Sequence, residues 1–184
     1  MKELSLNILD IAQNSISARA TLIYITLTED ANGWLTLAIR DNGCGMTEKT
    51  LRTVMDPFYT TRTTRKVGMG IPLLKMAAEQ TGGGVTIESV SETVSEEHGT
   101  TTTATFDTNH IDMTPIGDIV STVETILQGH PEIDYVFTHT TPRLSVAMDT
   151  RELRAVLGEV SLAEPEVLAW VRGYLSEQYE QLPE

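Results

Sequence analysis

The sequence predicts an α/β protein with a smaller C-terminal unit of αββαα pattern. Two observations predict it. Over the first hundred or so residues, segments with a helical apolar period exchange with segments that alternate residue by residue. After Asn109 the composition changes, and a second set of helical and alternating segments follows with no repeat relationship to the first. The expected division is 1–108 and 109–184. The tail either extends the first sheet or builds a contact between two copies, which would make a homodimer.

In residues 4–18, Leu4, Ile8, Ile11 and Ser15 recur at helical spacing, with Leu9 and Ala12 widening the stripe, so a helix ends near Ala18-Arg19. Thr21–Thr28 is β-branched and alternating, a strand. The turn Asp30-Ala31-Asn32-Gly33 joins it to a strand over Trp34–Arg40, giving a hairpin. Asp41-Asn42-Gly43-Cys44-Gly45-Met46 breaks both periods and reads as a tight turn. Thr47 caps a short helix to Met55. Residues 56–70 have no apolar period, only proline, threonines, bases and glycines, which is the pattern of a functional loop or lid. Pro72 then opens a helix to about Gln80, and Gly82-Gly83-Gly84 ends it. Strands Val85–Val90 and Thr101–Asp107 follow, then a helix over 116–127, strands 135–140 and 144–148, and helices near 151–157 and 165–179.

Of the 184 residues, 40% are hydrophobic and 21% charged, an ordinary globular composition. No stretch approaches the roughly 20 apolar residues that span a bilayer. The N-terminus carries Glu3 and Asp10, unlike a secretory signal. One cysteine and four scattered histidines give neither a disulfide nor a zinc spacing. A cytoplasmic protein without a membrane anchor is expected. The net charge of −13 is uneven: residues 1–75 hold 9 bases and 7 acids, residues 76–184 hold 4 and 19. An acidic tail repels a nucleic-acid backbone, so nucleic acid is not an expected partner, whereas a protein with a basic face is not disfavoured.

Three segments each suit one part of a magnesium nucleotide. Asp10 and Asn14 lie one helical turn apart on one face. An amide oxygen is a hard ligand for Mg²⁺, and a carboxylate beside it can orient or deprotonate a nucleophile. Asp41, at a strand end, can accept a hydrogen bond from an adenine amino group, with Gly43 and Gly45 letting backbone lie against the base. Gly68-Met69-Gly70 leads into a helix N-terminus, an anion site, and Arg62, Arg65 and Lys66 precede it to close over phosphates. The dinucleotide and P-loop fingerprints are absent.

In order, Asp10…Asn14, DNGCGM, DPFYTTR, GMGIPLLK and GTTTTATF resemble the ATPase superfamily shared by gyrase, the ninety-kilodalton heat-shock chaperones, histidine kinases and mismatch-repair ATPases, over about residues 1–107. The resemblance implies a Bergerat-type two-layer sandwich, a mixed sheet with helices on one face and ATP beneath a mobile lid. It assigns Mg²⁺ to Asn14, adenine to Asp41 with Gly43, Gly45 and Met46 beside it, and the phosphates to Arg62, Lys66, Gly68, Met69 and Gly70. Phe58 matches the family's phenylalanine box, and Thr100-Thr101 are the strand-borne threonines expected near the base, Thr101 foremost.

Asp10 stands where hydrolysing members carry glutamate, one methylene shorter, and is the expected base. The whole length resembles small stand-alone ATP-binding proteins. It starts at the first box, and His98, His110, His130 and His139 lie outside any acceptor-helix setting, so self-phosphorylation is not expected. Two functions stay open: ATP hydrolysis or γ-phosphoryl transfer to a partner protein, and a nucleotide-gated protein-binding module resembling anti-sigma regulators. Cys44 reads as a spacer, Lys75 as a surface charge, and Trp34 and Trp170 as packing residues.

Overall fold

A computed structural model gives the architecture, and it describes residues 3–55 and 69–181. The expected lid lies almost wholly outside the described residues, and Phe58, Arg62, Lys66 and Gly68 lie outside them with it. The described elements run α1 (Leu4–Ser17), β1 (Leu22–Glu29), β2 (Trp34–Asp41), α2 (Glu48–Met55), α3 (Gly70–Gln80), β3 (Gly84–Val90) and β4 (Gly99–Asp107). They continue with α4 (Ile119–Gly129), β5 (Asp134–Thr140), β6 (Ser145–Asp149), α5 (Thr150–Leu157) and α6 (Pro165–Glu180). No described helix is long and apolar enough to cross a membrane.

The six strands form one mixed sheet in the order β3-β4-β2-β1-β5-β6, in which β1 and β5 run parallel and every other pair is antiparallel. The tail therefore extends the first sheet. Alternation sends one residue set of each strand toward the helices. Ile23, Ile25 and Leu27 of β1, Leu35, Leu37 and Ile39 of β2, Ala104 and Phe106 of β4, and Tyr135 and Phe137 of β5 are buried there. They share one core cluster with Leu4, Ile8 and Ile11 of α1, Leu74 of α3, Val123 of α4 and Val171 of α6.

Local chemistry fixes the turns and caps. In the first hairpin, Asp30 Oδ1 accepts from the Asn32 and Trp34 N–H groups, each at 2.9 Å. The Trp34 hydrogen bond is the main reason the Asp30 carboxyl lies below its usual range. Thr47 caps α2 through Thr50 N–H at 3.3 Å. Along β6, the Gln178 side-chain oxygen accepts from Ala147 N–H (2.9 Å) and its amide N–H donates to the Ala147 carbonyl (3.2 Å), closing part of a sheet edge that would otherwise be open to pairing.

Asp118 caps α4, taking the Ser121 hydroxyl at 2.6 Å and the Ser121 N–H at 2.9 Å. These bonds, the hydroxyl first, hold the Asp118 carboxyl below its usual range, with the Arg172 guanidinium adding to them. Asp149 caps α5 in the same way and is held low chiefly by the Arg151 side chain. Asp118→Ala is expected to cost about 1 kcal/mol, read as a fall in melting temperature of about 2–4 °C. The sign follows from linkage. A carboxylate depressed in the fold stabilises it above the unfolded value of about 3.9, and that contribution fades as pH falls through the folded value. The gap in melting temperature between the parent chain and Asp118→Ala should therefore stand at neutral pH and narrow as pH falls below about 4.

Candidate functional site

The site is built where α1 crosses the ends of β2 and β4. Asp41 is the last residue of β2 and faces the helices, 9% exposed. Its Oδ2 accepts from the Ser15 hydroxyl at 2.6 Å. Its Oδ1 accepts from Gly43 N–H at 2.9 Å and Thr100 N–H at 3.3 Å. A carboxylate has about four acceptor positions, so three donors leave it able to take one more. The side chain is thus held in one orientation before any ligand arrives.

The turn after Asp41 is strapped from both sides. The Asn42 side chain accepts from Thr21 N–H (2.9 Å) and Leu22 N–H (3.0 Å) and donates to the Thr21 hydroxyl (2.9 Å). Cys44 N–H donates to the Ala18 carbonyl, Glu92 N–H to the Cys44 carbonyl, and Met46 N–H to the Ser89 hydroxyl. The His98 ring bonds the Gly43 carbonyl. Gly45 has φ +66°, and a Cβ there would lie 1.8 Å from the Val90 carbonyl oxygen, so a side chain is excluded by both backbone conformation and space. At Gly43 a Cβ would come within 2.8 Å of Ala18.

On α1, Asp10 is exposed and Asn14 half-buried, and among the described residues neither side chain carries a hydrogen bond. The N-terminus of α3 closes on this face: a Cβ on Gly70 would stand 2.9 Å from the Asp10 Cβ. Among the described residues no side chain caps α3 and no acid sits in its first turn; Pro72 has no N–H and Leu73 N–H bonds the Met69 carbonyl, which leaves the Gly70 and Ile71 N–H groups to face an anion. Met69 is exposed just before it. The fold therefore brings Asp10 against Gly70, and links Ser15, the neighbour of Asn14, to Asp41 and Gly43. Among the described residues no group of three or more His, Cys, Asp or Glu could hold a metal ion. The Asn14 amide oxygen is a hard donor, which fits a Mg²⁺ carried on a polyphosphate, a cation that keeps several water ligands and takes few from protein.

The two expected threonines lie on opposite faces of β4. Thr101 pairs with Arg40, so its side chain takes the sheet face opposite the Asp41 side chain, and the groove it lines with Tyr24 and Glu88 reaches Asp41 and Thr100 at the strand ends. Thr100, paired with Asp41, is the threonine on the site's face, and its hydroxyl bonds that of Ser89 at 2.8 Å. Alternation along a strand is the reason: a shift of one residue reverses the face.

Ser15 and Ser89 hold the site together without having been expected there from the sequence. Ser15 had a signal, a hydroxyl inside the apolar stripe of α1, where a buried donor needs an acceptor. Asn7 lies three residues before Asp10 on the same flank of α1; it is 0% exposed, and neither its Oδ1 nor its Nδ2 has a partner among the described residues. A buried orphan amide costs about 1–3 kcal/mol, so Asn7→Leu is expected to raise the melting temperature, which a thermal melt checks.

A mixed sheet layered by helices on one face, with an aspartate-glycine turn at the edge of the first helix, defines the Bergerat-type α/β sandwich. The chain belongs to the histidine kinase-, DNA gyrase B-, and HSP90-like ATPase family, whose model matches residues 1–110. Among solved structures it is similar to the N-terminal domain of a DNA repair protein, with TM-score 0.56 and 16% identity over 79% of this chain and 53% of that one. It is also similar to the Aquifex aeolicus MutL ATPase domain complexed with ADP, with TM-score 0.50 and 12% identity over 74% of this chain and 60% of that one. At these identities the likeness is one of fold. A Shewanella frigidimarina protein that bears a sensor-protein name is 32% identical over 90 residues, which cover 48% of this chain and 14% of that protein.

Proposed function

We propose that the chain binds ATP with Mg²⁺ in the cleft under α1, and that it hydrolyses ATP or passes the γ-phosphoryl group to a partner protein. The observation that carries this reading is the fixed Asp41 carboxylate, three donors on two oxygens with one acceptor position left, at the edge of a turn whose glycines exclude side chains. Asp41 accepts from the adenine amino group. Gly43, Gly45 and Met46 form the backbone against which the base lies. Asn14 offers its amide oxygen to the metal, and the Gly70 and Ile71 N–H groups of α3, with Met69 before them, face the phosphates. Phe58, Arg62, Lys66 and Gly68 are assigned to the nucleotide on the family resemblance alone. Bound Mg²⁺ supplies charge neutralisation across the phosphate oxygens.

Asp10 orients the attacking hydroxyl or water and accepts its proton. Phosphoryl transfer depends on positioning and charge neutralisation more than on covalent chemistry, so a short carboxylate one turn from the metal ligand suffices for the role. The second reading, a nucleotide-gated protein-binding module with little turnover, is favoured by Asp10 itself, whose carboxylate is one methylene shorter than the glutamate of hydrolysing relatives.

Labelled γ-phosphate separates the two. With ATP, Mg²⁺ and candidate partner proteins, an enzyme releases phosphate or labels a partner, and Asp10→Asn stops it by about 10²-fold or more while leaving ATP affinity within a few-fold. Intact ATP after hours, with unchanged partner capture by Asp10→Asn, would establish the gated module instead.

A further inference from the structure

Helix α6 is the outermost helix of the layer, packed on α4 and β6. Its inward side is buried through Val167, Leu168, Val171 and Leu175. Its outward side carries two large aromatic rings. Trp170 and Tyr174, one helical turn apart, stack at a centroid distance of 4.9 Å and an interplanar angle of 11°, and they are 51% and 39% exposed. Trp170 is therefore not the packing residue the sequence implied. Ala169 and Gly173 beside them are exposed and small.

The charge around the stack has one sign. From Glu159 to the end of the chain there are six acids and one base, Arg172. That base is already paired with Glu124 of α4. Glu166 lies one turn before Trp170 and Glu177 three residues after Tyr174, both exposed and outside every ion pair among the described residues.

We propose that this face of α6 is a docking surface for a basic, arginine-bearing helix of another protein. Aromatic residues dominate the energetics of protein interfaces, and a stacked pair presents the flat π-face on which guanidinium groups rest. Glu166 and Glu177, at the two ends, set partner choice by charge. A second copy of this chain is the wrong occupant, since each brings a net charge of −13. Pairing along β6 is the wrong route as well, because Gln178 already occupies the Ala147 edge groups.

The test is selection from a displayed library of random 16-residue peptides, followed by titration of the enriched peptides into a Trp34→Phe chain in which Trp170 is the only tryptophan. The expected result is enrichment of net-positive peptides with arginines and apolar residues at helical spacing, each giving a saturable change in Trp170 emission. Affinity, read by calorimetry with the same peptides because Trp170→Ser removes the emission, should fall at least tenfold in Trp170→Ser/Tyr174→Ser. It should fall again in Glu166→Lys/Glu177→Lys, which leaves the aromatic pair in place. All substituted positions are exposed, and circular dichroism verifies the fold. No enrichment over the Trp170→Ser/Tyr174→Ser chain, enriched peptides without positive charge, or concentration-dependent self-association through Trp170 would each overturn the proposal.

Discussion

Asp41→Ala should abolish ATP binding and lower the stability of the chain at the same time. The carboxylate holds the Ser15 hydroxyl and the Gly43 and Thr100 N–H groups. Truncation orphans three donors in a buried place, and each orphan costs about 1–3 kcal/mol where water cannot reach it. Partial relaxation makes the sum less than additive, so a loss of about 2–4 kcal/mol is expected in denaturant melts. Asp41→Asn separates the two effects. It keeps one acceptor for the internal donors, so most of the stability stays, while the amide presents a donor toward the adenine amino group and binding falls by at least about 10²-fold. Calorimetry and melts on both variants read these outcomes.

The second large effect is expected at Gly99. This residue has φ +141°, and a Cβ added to it would lie 1.9 Å from the Asp41 carbonyl oxygen. No side-chain rotation relieves a clash with backbone, so β2 and β4 must part at the pair that sets Asp41 beside Thr100. Gly99→Ala should destabilise the fold by at least about 2 kcal/mol and weaken ATP binding with it. Gly82 is the control. It has φ +81° with nothing within 4 Å of a Cβ, so Gly82→Ala meets only the backbone penalty of about 1 kcal/mol. Equal costs at the two positions would show that the close approach at Gly99 is unimportant.

How much of this was legible in the sequence depends on how local each cause is. The α1 stripe, the first hairpin and the αββαα order of the tail follow from period and turn chemistry, and their bounds match the expected ones to within about three residues. The two displaced helix starts have local physical reasons. Pro72 is tolerated as the third residue of α3, which lets that helix begin at Gly70. Asp118 captures Ser121 and so caps α4, while the Ile116 carbonyl before it is used by Ser5 N–H. Pairing between distant strands is another matter. That β5 lies parallel to β1 and continues the sheet is set by helix packing over the whole chain, and no local period records it.

The same division runs through the site. Asp41 and its glycines were legible because a carboxylate and small residues interrupt an apolar pattern. The face of Thr100 against Thr101 depends on a one-residue register with β2. The place of Ser15 in the apolar stripe of α1 was legible but its acceptor was not, because Asp41 is 26 residues away in the chain and meets it only in the fold.

Adenine and guanine differ at the group that the proposed function assigns to Asp41. Calorimetric titration of the chain with ATP and with GTP, each with Mg²⁺, therefore tests the account most directly. A site built to accept a hydrogen bond from the substrate leaves its own buried oxygen unpaired against the wrong base, a loss worth about two orders of magnitude or more. The account predicts saturable ATP binding and GTP binding at least about 100-fold weaker. Equal affinities for the two nucleotides, or no heat from either, would contradict it.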